Sequence, residues 1–187
     1  MLGSDAIVLA VAEALDGLSA PLVLDPVMVA KGGDRLLAPE AVAALRARLL
    51  PTATVITPNL PEAADLLEGE IARTRAEMEM QAQALLAIGP RAVLLKGGHL
   101  EGGDSPDLLF DVDGPHWIEG RRHVTANTHG TGCTLSSALA ALIGRGLPLP
   151  GAVAEAKSYI AGALARSDDL SVGSGHGPVH HFHAFQE

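Results

Sequence analysis

The sequence is poor in several residue types, and each shortage argues against a class of protein. Aromatic residues make up 3% of the 187 residues, which leaves little material for stacking on unpaired nucleic-acid bases. Lysine and arginine number 13 against 22 aspartate and glutamate, and the formal net charge of -9 repels a phosphate backbone. The one cysteine can form neither an internal disulfide nor a multi-thiolate zinc site, which indicates a reducing compartment.

The first residues also lack the marks of a targeting or membrane-spanning segment. No lysine or arginine precedes Lys31, whereas a signal peptide begins with basic residues. Glu13 and Asp16 interrupt the apolar run too early for a membrane span. Hydrophobic residues at 48% and charged residues at 19% are typical of a globular chain. We therefore expect a cytoplasmic protein with neither a membrane nor a nucleic acid as partner.

Short apolar runs alternate with helical patterns along the chain. Three runs that end at proline or glycine predict buried strands, at 21–26, 54–57 and 91–96. Apolar residues at helical spacing predict a helix from a Ser4 or Asp5 cap to Leu15, and others over 39–51, 60–68, 74–88, 131–145 and 151–166. Two further β-like runs within 107–124 are joined across Asp113-Gly114, a hairpin signal.

This alternation predicts an α/β fold with a mainly parallel sheet, helices on both of its faces and an antiparallel hairpin near one edge. No internal repeat and no long linker divides the sequence, so we expect a single domain over 1–187. The Gly-rich segment 100–106 is the best candidate for a mobile loop.

Polar residues follow the predicted strands, where ligands bind in open α/β sheets. Asp25 follows the first strand, Asn59 and Glu62 follow the second, and Lys96 ends the third. Each has an alternative explanation: Asp25 as a turn residue before Pro26, Asn59 and Glu62 as a helix capping box, and Lys96 as a solvated lysine.

The segment His129–Cys133 places glycines directly before a predicted helix. Glycines at a helix N-terminus let backbone N–H groups approach an anion, so this segment predicts a phosphate cradle, with a flexible helix start as the alternative. It is not a Walker A loop, because no Gly-Lys-Ser/Thr follows the glycines. His129 could assist the cradle or serve only the start of the helix.

Four histidines crowd the tail, His176, His180, His181 and His183. No ligand partners of other types accompany them at fixed spacing, so a loop that folds over the site, or a solvated tail, is favoured over a metal site.

Several segments, spread in order over nearly the whole chain, carry a resemblance to a known family. They are MLGS (1–4), VLDPVMVAKGGDRLL (23–37), ITPNLPEAADLL (56–67), VLLKGGH (93–99), NTHGTGCTLSSALAA (127–141) and GSGHGPVHHF (173–182). The sequence resembles the hydroxymethylpyrimidine/phosphomethylpyrimidine kinases of thiamine biosynthesis, within the ribokinase-like superfamily. The resemblance implies a ribokinase-like three-layer sandwich with ATP and substrate along the carboxyl edge of the sheet.

The resemblance also implies a role for each matching position. Gly130, Thr131 and Gly132 would form the anion hole for the transferring phosphoryl group, with Cys133 at the place of the catalytic base and beside the substrate. Lys96 would contact ATP phosphate, and Asn59 would belong to the nucleotide site. Asp25 and Glu62 would hold the Mg²⁺–phosphate assembly, directly or through water. Val27 would line the pyrimidine pocket. The implied partners are ATP and a small pyrimidine, and a homodimer stays open.

Two departures from the superfamily pattern matter. Sugar kinases usually carry Asp where this sequence has Cys133, which favours the pyrimidine kinases. MLGS matches the end of an internal family strand, so we expect the chain to begin inside the kinase domain, after the first strand and its Gly-rich substrate loop. Three alternatives stay open: a pyridoxal or pyridoxamine kinase, a non-catalytic remnant, and a cysteine hydrolase that uses Cys133 with His129.

Overall fold

The computed structural model describes residues 2–29 and 35–185, which belong to two compact units, Met1–Glu119 and Gly120–Glu187. Met1, at the start of the MLGS segment, and residues 30–34, within the 23–37 segment, lie outside the described residues. The single domain over 1–187 stays a prediction.

The first unit is built on a five-stranded sheet. Its strands, in spatial as well as chain order, are β1 (Val23–Leu24), β2 (Val55–Ile56), β3 (Val93–Lys96), β4 (Asp107–Asp111) and β5 (Gly114–Ile118). The first three pair in parallel, whereas β4 and β5 form an antiparallel hairpin at one edge, as predicted. Gly114 has a φ of +101°, a region that glycine adopts without steric cost, and it closes the hairpin turn. The α/β fold class is confirmed, with a mixed sheet.

Four helices complete the first unit: α1 (Asp5–Leu15), α2 (Pro39–Ala44), α3 (Leu60–Leu67) and α4 (Arg75–Leu86). Ser4 caps α1, since its hydroxyl accepts a hydrogen bond from the Ile7 N–H at 3.4 Å. The helix predicted over 39–51 is less regular than expected, because α2 continues as a π-helical turn, Leu45–Leu49, and a 3-10 turn, Leu50–Thr52. Pro51 has no N–H to donate, so a regular α-helix cannot continue through it.

The core of the first unit explains why its parallel strands are uninterrupted apolar runs. Val55, Ile56, Val93, Leu94 and Leu95 have no exposed surface, as expected for strands covered on both faces. Helix α4 contacts β3 and β4, and α3 contacts β3. The short strands therefore end at fixed positions, and the residues that follow them are held at the carboxyl edge of the sheet.

The second unit consists of α5 (Thr131–Gly144), α6 (Leu149–Ala165), a 3-10 turn (Ser167–Asp169) and the tail. The two helices contact each other, and Leu135, Leu139, Val153 and Ile160 are among their buried residues. Helix α6 begins two residues earlier than predicted, because Pro150 is tolerated in a first helical turn. Among the helices within the described ranges, none has the length and apolar character needed to cross a bilayer.

Candidate active site

Three charged side chains from separate segments meet at the carboxyl edge of the parallel strands. The Lys96 ammonium, at the end of β3, lies 3.1 Å from Asp25 Oδ1 and 4.0 Å from Glu62 Oε2. Asp25 follows β1, and Glu62 lies in the first turn of α3, just after β2. Their side chains are 14%, 13% and 5% exposed for Lys96, Asp25 and Glu62. The structure thus gathers three of the predicted site residues into one largely buried group.

Asn59 joins this group through the start of α3. Its Oδ1 accepts a hydrogen bond from the Glu62 N–H at 2.8 Å, and Glu62 Oε2 accepts one from the Asn59 N–H at 2.8 Å. This is the capping box that the sequence offered as an alternative. The same Glu62 carboxylate faces Lys96, so capping and a place in the charged group are not exclusive. Asn59 and Lys96 also form an isolated parallel β-bridge, which fixes their spacing.

Burial dominates the electrostatics of Glu62. Desolvation raises the pKa of Glu62 above its ordinary value of 4.5, against the opposing attraction of Lys96 and the hydrogen bond from the Asn59 backbone. The Asp25 charge adds to the upward shift in that pKa, and a Met28 backbone hydrogen bond opposes it. Because burial disfavours the charged form of Glu62, any further positive charge placed near the carboxylate stabilises it.

Thr57 is a member of the group that the sequence did not reveal. Its side chain is buried, and its hydroxyl donates a hydrogen bond to Asp25 Oδ1 at 2.9 Å. Asp25 Oδ1 therefore takes two donors, Thr57 and Lys96, whereas Oδ2 takes none from the described residues. Only its place in the sequence could have indicated this, because Thr57 ends the 54–57 run and neighbouring parallel strands end at the same edge of the sheet.

Val27 lies two residues beyond Asp25 and is half-buried. It lines a cavity of about 180 Å³ whose other walls include Asp25, Pro26, Leu24 and Leu37. The lining residues are mostly apolar, and Asp25 is the charged residue among them. An apolar wall with one directional polar group is a usual arrangement for binding a small ring.

The turn after Lys96 is tightly packed. The Gly97 N–H donates a hydrogen bond to the buried carboxylate of Asp107 at 3.0 Å. A Cβ atom at Gly97 would lie 1.9 Å from the Pro106 carbonyl oxygen, so only glycine fits there without a backbone shift. The close approach of Gly97 to Pro106 fixes the backbone directly after Lys96.

In the second unit, α5 begins at the predicted cradle. Gly130 is the N-cap, with a φ of +81° and no side chain to cap the helix. The Thr131 hydroxyl donates instead to the Thr128 carbonyl at 2.7 Å. The backbone N–H groups of Gly132 and Cys133 have no acceptor among the described residues, and Cys133 is exposed. Free amides at the positive end of a 14-residue helix can bind an anion.

A groove of about 820 Å³ runs beside the start of α5, within the second unit. Its lining includes His129, Gly130 and Cys133 at the start of α5, and Glu155 and Tyr159 of α6. The groove has the size of a small-molecule site. The tail histidines are held by specific contacts: the His180 N–H donates to the Ala163 carbonyl at 3.0 Å, and His176 Nδ1 lies 3.2 Å from the Ala126 carbonyl oxygen.

Within residues 2–29 and 35–185, no three His, Cys, Asp or Glu side chains are grouped so as to hold a metal ion. In the first unit, Asp25 and Glu62 are the two carboxylates beside Lys96.

Comparison with known proteins identifies the family of this chain. A profile of the family described as phosphomethylpyrimidine kinase matches residues 1–180. The chain is 56% identical over 186 residues to the hydroxymethylpyrimidine/phosphomethylpyrimidine kinase of Escherichia coli, which covers 99% of this chain and 70% of that protein. It is 47% identical over 166 residues to a thiamine biosynthesis bifunctional protein of Geobacter sulfurreducens, over 89% of this chain and 33% of that protein.

Among solved structures, the pyridoxal kinase from Staphylococcus aureus in complex with AMP-PCP and pyridoxal superposes with a TM-score of 0.89 at 30% identity, covering 100% of this chain and 66% of that one. The fold is that of a ribokinase-like kinase, and the named kinase relatives show that the chain is a phosphotransferase. It belongs to the phosphomethylpyrimidine kinase family, the kinases of thiamine biosynthesis.

Proposed function

We propose that this chain phosphorylates 4-amino-5-hydroxymethyl-2-methylpyrimidine and then its monophosphate, with ATP as phosphoryl donor. The observation that carries the proposal is the Lys96 ammonium beside Asp25 and Glu62, at the strand ends where α/β proteins bind ligands. Phosphoryl transfer is mainly positioning and neutralisation of charge, which a buried ammonium supplies. The 56% identity with a kinase named for these two pyrimidines supports the choice of acceptor.

In this proposal Lys96 contacts ATP phosphate and Asn59 helps to form the nucleotide site. Asp25 would hold Mg²⁺, since its Oδ2 takes no hydrogen bond from the described residues while Oδ1 is fixed by Thr57 and Lys96. Glu62 would assist, directly or through water. This donor set fits the ion, because Mg²⁺ is usually bound by one or two carboxylates together with waters and substrate phosphates. The ion would neutralise phosphate charge during transfer.

The α5 start would bind the transferring phosphoryl group. Gly130, Thr131 and Gly132 form the anion hole in this proposal, and the free N–H groups of Gly132 and Cys133 support it. Cys133, as its thiolate, would accept the hydroxyl proton of the hydroxymethyl acceptor while the acceptor oxygen bonds to the γ-phosphorus of ATP and ADP leaves. Its exposure at the groove leaves the thiol accessible to a small molecule.

The first experiment tests Lys96. Replacing Lys96 by Ala should slow phosphoryl transfer at least roughly tenfold, or about 1.4 kcal/mol of barrier. Lys157→Ala, a change of the same kind on α6, is the control and should leave the rate unchanged. A Lys96→Ala chain with the control's rate would refute the proposal.

The second experiment tests Glu62. Glu62→Gln keeps an acceptor for the Asn59 N–H but removes the charge, so it should raise the Mg²⁺ concentration needed for half-maximal rate. An unchanged Mg²⁺ dependence would leave Glu62 with its capping role only.

The acceptor is tested by kinetics with alternative substrates. We expect kcat/KM for the hydroxymethylpyrimidine to exceed that for pyridoxal, and Val27→Ala should lower it by raising KM. The pyridoxal kinase named above makes pyridoxal the necessary comparison. A preference for pyridoxal would replace the proposed substrate but keep the reaction type.

Cys133 gives a further test, because the two acceptors differ in their need for a base. The first is a neutral hydroxymethyl group that must lose a proton, whereas the second is a phosphate monoester with a second pKa near ~6, already mostly dianionic at pH 7. Cys133→Ala should therefore slow the first transfer much more than the second, measured by single-turnover kinetics with each acceptor. Cys133→Asp should keep part of the first transfer and impair the second by charge repulsion. Equal losses in both steps for Cys133→Ala would exclude this division.

A further inference from the structure

Three segments of the second unit converge on the side chain of Asn127, to which the family resemblance assigns no role. Asn127 Oδ1 accepts a hydrogen bond from the Gly177 N–H in the tail at 3.0 Å. Asn127 Nδ2 donates to Asp168 Oδ1 at 2.9 Å and to the Ser167 carbonyl at 3.3 Å, both in the 3-10 turn after α6. One amide side chain thus joins the segment before α5 to the end of α6 and to the tail.

The tail in turn fixes the backbone directly before the cradle. The His129 N–H donates to the Gly177 carbonyl at 3.1 Å, and the Val179 N–H donates to the His129 carbonyl at 3.3 Å. These bonds form an isolated parallel bridge between His129 and Pro178. Because His129 precedes the N-cap Gly130, the position of the tail sets the direction in which α5 begins.

Packing against the Asn127 amide leaves no room for a side chain at position 177. Gly177 is buried, and a Cβ atom there would lie 2.2 Å from Asn127 Oδ1. Thr125 supports the other side, since its hydroxyl accepts a hydrogen bond from the Asn127 N–H at 3.0 Å and lies 3.1 Å from the Ser167 hydroxyl. The buried Ser167 hydroxyl donates to the Leu164 carbonyl at 2.8 Å, which ties the network to α6.

We propose that Asn127 is a positioning residue: through Gly177 and the His129–Pro178 bridge it holds the start of α5 so that the Gly132 and Cys133 N–H groups point together at the transferring phosphoryl group. Asn127 itself touches no reacting atom. The inference rests on the proposed function of the α5 start as an anion hole. Preorganised amides contribute to rate because they need no reorientation as charge develops in the transition state.

Amide hydrogen exchange in the ligand-free chain tests the positioning directly. Asn127→Asp keeps an acceptor for the Gly177 N–H, but it loses both donors and sets a second carboxylate against Asp168. We expect the His129 and Gly177 amides to exchange roughly tenfold faster in this variant. Gly177→Ala should act in the same way from the tail side. Ser174→Ala, an exposed change in the same tail, is the matched control and should leave these rates unchanged.

The double variant Asn127→Asp with Asp168→Asn is the control for a general loss of folding. It restores an amide–carboxylate hydrogen bond with its direction reversed, so it should recover part of the protection lost in Asn127→Asp. Unchanged exchange at His129 and Gly177 in both Asn127→Asp and Gly177→Ala would overturn the proposal.

The kinetic constants kcat and KM distinguish a positioning residue from a residue that only stabilises the fold. Asn127→Asp should lower kcat roughly tenfold and leave KM for the pyrimidine within about twofold, because an anion hole acts on the transition state. Faster exchange with an unchanged kcat would also overturn the proposal. A wild-type chain that transfers no phosphoryl group refutes the proposed function instead, while the exchange measurement still decides whether Asn127 positions the start of α5.

Discussion

Removing the Lys96 ammonium should destabilise the first unit in a pH-dependent way. Lys96→Met keeps most of the aliphatic stem but leaves Asp25 and Glu62 without the cation that lies 3.1 Å and 4.0 Å from their oxygens. Breaking a buried ion pair by removing one partner costs about 3–5 kcal/mol. Asp25 keeps the Thr57 hydrogen bond, so we expect the lower end, about 3 kcal/mol at pH 7.5.

The sign of the pH dependence follows from Glu62. Folding raises the pKa of Glu62 above the value near 4.5 that it has in the unfolded chain. The stability that Glu62 contributes is therefore fully present at a pH below 4.5, and it is lost as the pH rises through the pKa of the folded protein. Lys96 opposes that rise, and its removal therefore pushes the pKa of Glu62 further upward. The penalty of Lys96→Met should accordingly shrink as the pH falls from 7.5 toward 5, where more of the Glu62 carboxyl is protonated.

The measurement is urea unfolding followed by the fluorescence of Trp117, the only tryptophan of the chain, which lies in β5 of the first unit. Arg35→Met is the control, because it breaks a more exposed pair with Asp65 and should cost less than about 1 kcal/mol. Adding Glu62→Gln to Lys96→Met removes the stranded charge and should recover part of the loss. A penalty that is the same at pH 5 and pH 7.5, or no recovery in the double variant, would refute this reasoning.

Two further predictions concern the packing at Gly97 and the helix cap at Asn59. Gly97→Ala should lower the free energy of unfolding by at least about 1–3 kcal/mol in urea titrations, because its Cβ would meet the Pro106 carbonyl oxygen at 1.9 Å. Gly98→Ala should change it much less, since its Cβ would meet only ordinary contacts; equal losses would contradict the packing argument. Asn59→Ala should cost about 0.5–2 kcal/mol by loss of the α3 cap, and Thr74→Ala, at the exposed cap of α4, calibrates that loss without touching the charged group. Asn59→Ala should in addition weaken binding of AMP-PCP, measured by calorimetry, whereas an effect confined to stability would remove Asn59 from the nucleotide site.

The sequence was informative about the elements because local signals and tertiary structure agree. Strands β1, β2 and β3 are short apolar runs that end at proline or glycine, and the Asp113-Gly114 turn forms the hairpin that its residue types favour. The convergence of Asp25 and Lys96 could be predicted because parallel strands end at one edge. Boundaries were less accurate where proline acts, as at Pro51 and at the start of α6.

Contacts between distant segments could not be predicted in this way. Thr57 belongs to the charged group through one hydroxyl hydrogen bond, and a threonine at a strand end is commonplace in sequence terms. The Asn127 network depends on a glycine 50 positions later, and no local pattern links the two. No local pattern shows that desolvation, which raises the pKa of Glu62, outweighs the attraction of Lys96, which lowers it. That balance depends on how tightly the core closes over the Glu62 carboxyl.

The parallel bridge between His129 and Pro178 also has a consequence for how the chain matures during synthesis. The backbone before α5 is translated first, and it waits for partners that lie 50 residues further along. At roughly 5–20 residues per second that interval lasts about 3–10 s. Throughout this time α5 can already be helical, yet the loop that precedes it has no tail to pair with. The loop before α5 therefore acquires its ordered backbone only after the segment around Gly177 has been translated.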